Sequence, residues 1–169
     1  MVDESNVDDV LFPTPPEQFN EKYYEHLLTQ YELYVKMAND ISDRRSKANA
    51  FFLSMNSFLV TALGILSNFQ IRNNFEFLGL YIASAAGILF AITWLLLVRN
   101  YKQLNTAKYA VIHQLEKKLP AAPYVKEWEN LSSGKNWKKY MKLTNIESVI
   151  PILFIALYLA LSIGTYILA

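Results

Sequence analysis

Three uncharged apolar runs dominate the chain. Ala48 to Phe69, Phe77 to Val98 and Val149 to Ala169 contain no Asp, Glu, Lys, Arg or His. Each is about 20 residues long. At about 1.5 Å of rise per residue, each is long enough as a helix to cross a hydrocarbon layer of roughly 30 Å. The pattern predicts an all-α integral membrane protein with three spanning helices, TM1, TM2 and TM3.

Between these runs the pattern changes period. In the segment 17–47, Tyr24, Leu27, Tyr31, Tyr34, Ala38 and Ile41 follow a 3,4,3,4,3 spacing, widened by Leu28 and Val35, which predicts an amphipathic helix. Gly and Pro are absent from Phe19 to Leu63, so this helix is expected to run unbroken into TM1. Its stripe suits packing within the chain or against a neighbouring subunit. TM2 likewise continues past the membrane, with Leu97, Tyr101, Leu104, Val111, Leu115 and Leu119 as an inward stripe, until Pro120 to Pro123 end it. A short amphipathic piece with Tyr124, Val125, Trp128 and Leu131 follows. Trp137 and Tyr140 among Lys138, Lys139 and Lys142 then suit the headgroup layer. Thr144 to Glu147 reads as a capping box for TM3. Pro151 is expected to kink that helix, unless the helix starts at Ser148 and takes the proline in its first turn. The expected organisation is an acidic, disordered tail at 1–16, a cytoplasmic helix at 17–47, TM1 at 48–69, an external turn at 70–76, TM2 at 77–98, a cytoplasmic helical region at 99–144 and TM3 at 145–169.

Charge adds the orientation. Of 16 basic residues, only Arg72 lies in the short loop between TM1 and TM2. The rest precede TM1 or lie between TM2 and TM3, so the positive-inside rule places the N-terminus in the cytoplasm and the C-terminus outside. The start of the chain is acidic and lacks a cleavable signal pattern, so TM1 is expected to serve as an uncleaved anchor. The net charge of +1 gives no case for a nucleic-acid partner. The absence of cysteine removes thiolate chemistry and Cys-based metal sites.

Candidate chemistry is sparse. No phosphate loop, cofactor motif or catalytic set is visible, and the chain does not read as an enzyme. His113 and Glu116 lie one turn apart, as in carboxylate-bridged metal sites, but the pattern occurs once and reads as a solvated or hydrogen-bonded pair. Small residues in the spans say more. Ala50, Ser54, Ser57, Thr61 and Gly64 recur on TM1, Gly79, Ala83, Gly87 and Ala91 on TM2, and Ala156, Ala160 and Gly164 on TM3. Such stripes allow close helix approach in lipid, and the TM2 and TM3 stripes are expected to pack an oligomer. Ser54, Asn56, Ser57 and Thr61 form the main polar cluster at membrane depth, suited to helix packing or to lining a pore.

Three runs carry a family resemblance: Tyr31 to Val35 with Ile41 to Leu53; Arg99 to Tyr109 with Val111 to Glu116 and Leu119-Pro120; and Tyr140 to Thr144 with Ile146, Glu147 and Pro151. On these the chain resembles the RipA-like octameric small bacterial membrane proteins, over about residues 20–160. The resemblance implies a homo-oligomeric ring, octameric, in the bacterial inner membrane, with membrane lipid as the other partner and no molecular activity to carry over. Its polar residues Arg44, Arg45, Lys47, Asn49, Gln103, Asn105, Lys108 and Glu116 are candidates for a cytoplasmic network joining the extensions of TM1 and TM2. Two functions compete: a ring-shaped pore or membrane-perturbing effector, and a non-conducting scaffold that recruits partners through its cytoplasmic helices.

Overall fold

The computed structural model describes residues 10–19, 22–68, 74–131, 133 and 143–168, and among these all regular structure is helical. A 3-10 turn at Pro16–Gln18 precedes α1 (Tyr23–Asn68), α2 (Asn74–Glu116), α3 (Pro123–Asn130) and α4 (Leu143–Leu168). Three helices are long and apolar enough to cross a membrane. The expected headgroup residues Trp137 to Lys142, and Arg72 in the short loop, lie outside the described residues.

α1 is continuous for 46 residues, about 69 Å at the usual helical rise. The unbroken run expected into TM1 is present, but the helix begins at Tyr23 rather than Glu17. Phe19 instead closes the 3-10 turn, its N–H donating to Pro16 O. α2 ends at Glu116, and Pro123 opens α3 from its first helical position, where a missing N–H costs nothing. α4 begins at Leu143, so Pro151 falls inside it, where its ring removes the donor for the Glu147 carbonyl.

The chain divides into two compact units. The membrane unit draws its described residues from Ser42–Gln103 and Met141–Ala169. Its interior is two apolar clusters. Phe52, Trp94 and Val98 are covered by Phe90, Leu97, Ile150 and Phe154. Leu63, Leu80 and Tyr158 are covered by Leu59, Val60, Ala83, Ile88, Phe154 and Leu161. Phe154 touches both clusters and ties α4 to α1 and α2. In the most apolar window of each span only 17%, 28% and 11% of residues are buried, so most of the surface is left for lipid or other chains.

The polar unit draws its described residues from Met1–Ile41 and Leu104–Tyr140. Leu27 and Ala38 of α1 are buried, as are Ile112 and Leu115 of α2. The predicted α1 stripe therefore packs within the chain at its centre, although Tyr24 at its start is exposed. The α2 stripe differs at Leu104, which is 51% exposed. Leu115 is buried as the spacing suggested, and Ile112, one position after the expected Val111, is buried with it.

Candidate functional site

The polar groups of the membrane unit resolve into an inner knot and an outer face. Asn56, fully buried, donates from Nδ2 to the Phe52 carbonyl at 2.8 Å. Its Oδ1 lies 3.2 Å from the Tyr158 hydroxyl of α4, which is also 3.3 Å from Asn56 O. The Tyr158 ring fits because α2 has no side chain at Gly87. A Cβ there would stand 2.8 Å from Tyr158 Cε2 and nearer still to Cζ and Cε1. In hydrocarbon neither the amide nor the phenol finds water, so each is satisfied by the other.

Ser54, Ser57 and Thr61 part company with Asn56. All three are exposed in the single chain, with Ala50 beside them. The Thr61 hydroxyl donates to the Ser57 carbonyl at 2.8 Å. Asn56 stands about 100° or more around the helix from each of them, which turns it inward.

The small-residue stripes divide in the same way. On α2, Ala91 and Gly87 are buried and Ala83 packs against the cluster around Tyr158. The chain's own α4 occupies that face, leaving only Gly79 open. On α4, Ala156 and Ala160 are exposed, and nothing stands within 4 Å of a Cβ placed on Gly164.

The eight polar candidates are divided between the two units. Arg44, Arg45, Lys47, Asn49 and Gln103 belong to the membrane unit, whereas Asn105, Lys108 and Glu116 belong to the polar unit. Arg45 donates from Nε at 2.7 Å, and from Nη2, to Glu147 Oε2, with both side chains mostly buried. The Glu147 carboxylate, expected to cap its own helix, thus holds α1 instead. Asn49 accepts from the Trp94 indole N–H at 2.8 Å. Arg44, Lys47 and Gln103 are exposed.

In the polar unit Glu116 is the central group. It is 1% exposed and accepts three hydrogen bonds of 3.0 Å, from the Tyr31 hydroxyl, Tyr124 N and Val125 N. Two of these donors are backbone N–H groups of the first turn of α3, so the carboxylate caps that helix and meets the positive end of its dipole. Burial, then the hydrogen bond to Glu116 and its charge, push the Tyr31 phenol up to about 12. Lys108 lies over the Tyr34 ring, 4.4 Å from its centroid, and 3.6 Å from Met37 Sδ. An open groove of about 330 Å³ is lined by Tyr31, Glu32, Val35, Lys36, Asn39 and Tyr124. Lys118 lies 5.3 Å from the Phe12 ring centroid, which seats the described end of the N-terminal segment.

Sequence reasoning missed Tyr158, Trp94, Glu147, Tyr31 and Tyr124 as partners. One signal was present: Tyr158 and Asn56 are polar groups near the middle of two spans, and each needs a partner at that depth.

These features define an all-helical, multi-pass membrane protein with three candidate spans. Residues 28–167 match the octameric membrane protein family (8xMP), and the chain belongs to that family. Its designation supports self-association. No curated protein and no solved structure matches the chain.

Proposed function

We propose that the protein assembles as a homo-octameric ring in the bacterial inner membrane, N-terminus inside and C-terminus outside, and that the ring conducts ions along an axis lined by α1. The outer face of α1 carries this reading. It presents Ser54, Ser57 and Thr61 away from the chain's own core. Phe51, Phe58 and Ile65 are exposed on α1 as well, so its outer face is set apart by three exposed Ser and Thr hydroxyls within the apolar run, against Thr93 alone among the described residues of the α2 run and none among those of the α4 run. α4 exposes Ile152, Leu153, Leu159 and Ile163, and α2 exposes Leu78, Ile82, Leu89 and Leu96. A hydroxyl face that meets water or a neighbouring copy finds hydrogen-bond partners that acyl chains lack, and a polar lining avoids the dewetting that closes an apolar constriction.

The test is planar-bilayer recording of the purified protein. Wild type gives current, and Ser57→Leu reduces it by placing an apolar constriction on the path. Silent wild-type protein under all gating conditions tried contradicts conduction. Orientation is checked separately: alkaline phosphatase fused after Ala169 is active and fused after Leu131 inactive, and the reverse contradicts the topology.

One observation favours the scaffold as a second reading. Asn56, the most polar of the four candidates, is committed to Tyr158 rather than to an axis. Under that reading the ring is closed and the polar unit recruits partners.

A further inference from the structure

A closed ring of eight identical chains requires two different, mutually complementary patches on each copy, because a single self-complementary patch stops at a dimer. The polar unit has two such patches, on either side of the buried seam of Leu27 and Ala38. On one flank is the open groove, with Tyr31, Val35 and Tyr124 as apolar wall and Glu32 at its edge. On the other flank Leu33 and Met37, one turn apart on α1, are 54% and 39% exposed. Lys108 contacts Met37 and Tyr34, and Leu104, one turn before it on α2, is also half-exposed, so these side chains make one ridge.

The charges on the two patches are complementary. Among the described residues, the Lys108 ammonium rests on a ring face and a thioether, with no carboxylate in ion-pair range. Glu32, on the groove, has no cation in ion-pair range among the described residues, Lys36 included. We propose that adjacent copies of this chain join through these patches, the groove of one receiving Leu33, Met37 and Leu104 of the next, with Lys108 of that copy reaching Glu32. This rests on the octameric reading above and assigns it a surface. The contact covers apolar side chains that the single chain leaves half-exposed outside its three apolar runs, and it gives each unpaired charge an opposite one at a rim, where such pairs set register.

The absence of cysteine from the sequence makes the test direct. Glu32→Cys and Lys108→Cys are introduced singly and together into the full-length protein, purified in detergent and treated with a short bismaleimide. The double variant gives a denaturing-gel ladder running past the dimer. Each single variant gives no ladder, since its one thiol meets no thiol across the joint. No ladder from a double variant whose native mass is still eight chains overturns the surface and leaves the octamer standing. A wild-type native mass other than eight chains overturns the octamer, and the ladder then decides the surface alone. A charge exchange supplies the second readout. Glu32→Lys and Lys108→Glu each lower the assembled fraction, and the two together restore it. Both single variants assembling like wild type overturns the pairing, as does capture of a different protein at the groove in place of a second copy.

Discussion

The Tyr158 hydroxyl of α4 stands 3.2 Å from Asn56 Oδ1 of α1, and the ring behind it lies against Gly87 of α2. Three helices therefore meet at one polar point inside the apolar core. The hydrogen bond fixes the register of α4, because a slip of one residue turns the phenol away from the amide.

Tyr158→Phe keeps the ring and removes the donor. Asn56 Oδ1 then loses its partner, and the protein is expected to lose about 1–2 kcal/mol. Thermal unfolding in detergent reads this as a lowered Tm. An unchanged Tm shows that the hydroxyl contributes nothing to the packing.

Gly87→Ala is expected to destabilise the single chain, since the added methyl enters the space of a buried ring, at about 1–3 kcal/mol for overpacking. Gly79→Ala has open space and is expected to leave the Tm unchanged. The comparison separates packing within the chain from packing between chains. Equal effects at the two glycines contradict it.

Arg45→Ala leaves the Glu147 carboxylate mostly buried without its cation. The expected loss is up to about 3 kcal/mol, as for other pairs largely withdrawn from water. Replacing both, Arg45→Met with Glu147→Gln, recovers part of that loss in the same unfolding measurement. A double variant no better than Arg45→Ala shows that the pair's value lies in position rather than in compensated charge.

How far these sites were legible in the sequence follows from what pattern encodes. Span lengths, the unbroken α1 and the amphipathic seam at Leu27 and Ala38 follow from local periodicity, and the family follows from three long runs. Partner choice does not. Gly87 reads as an invitation to any neighbouring helix, and nothing in its spacing says that the neighbour is residue 158 of the same chain. Glu147 has the right offset from Thr144 for a cap, yet an arginine 102 positions away takes it. Contacts of that sequence separation depend on how the helices dock, which hydrophobic period leaves open.

Tyr31 supplies a pH readout. Its phenol is raised from 10.0 to about 12, so the folded state holds the proton more tightly than the unfolded one. The resulting stability is complete below pH 10 and is lost as pH rises from there through about 12. A phenolate difference spectrum of wild type minus Tyr31→Phe is expected to titrate near 12 and to move downward in Glu116→Gln. A difference spectrum that titrates near 10 contradicts the buried contact.

A cryo-EM map of the detergent- or nanodisc-embedded assembly tests directly whether eight chains form a ring with α1 along its axis. The expected map has eight copies around a solvent-filled axis, with Ser54, Ser57 and Thr61 facing it and Asn56 turned to Tyr158. A map in which that face meets acyl chains, or in which lipid fills the centre, contradicts it.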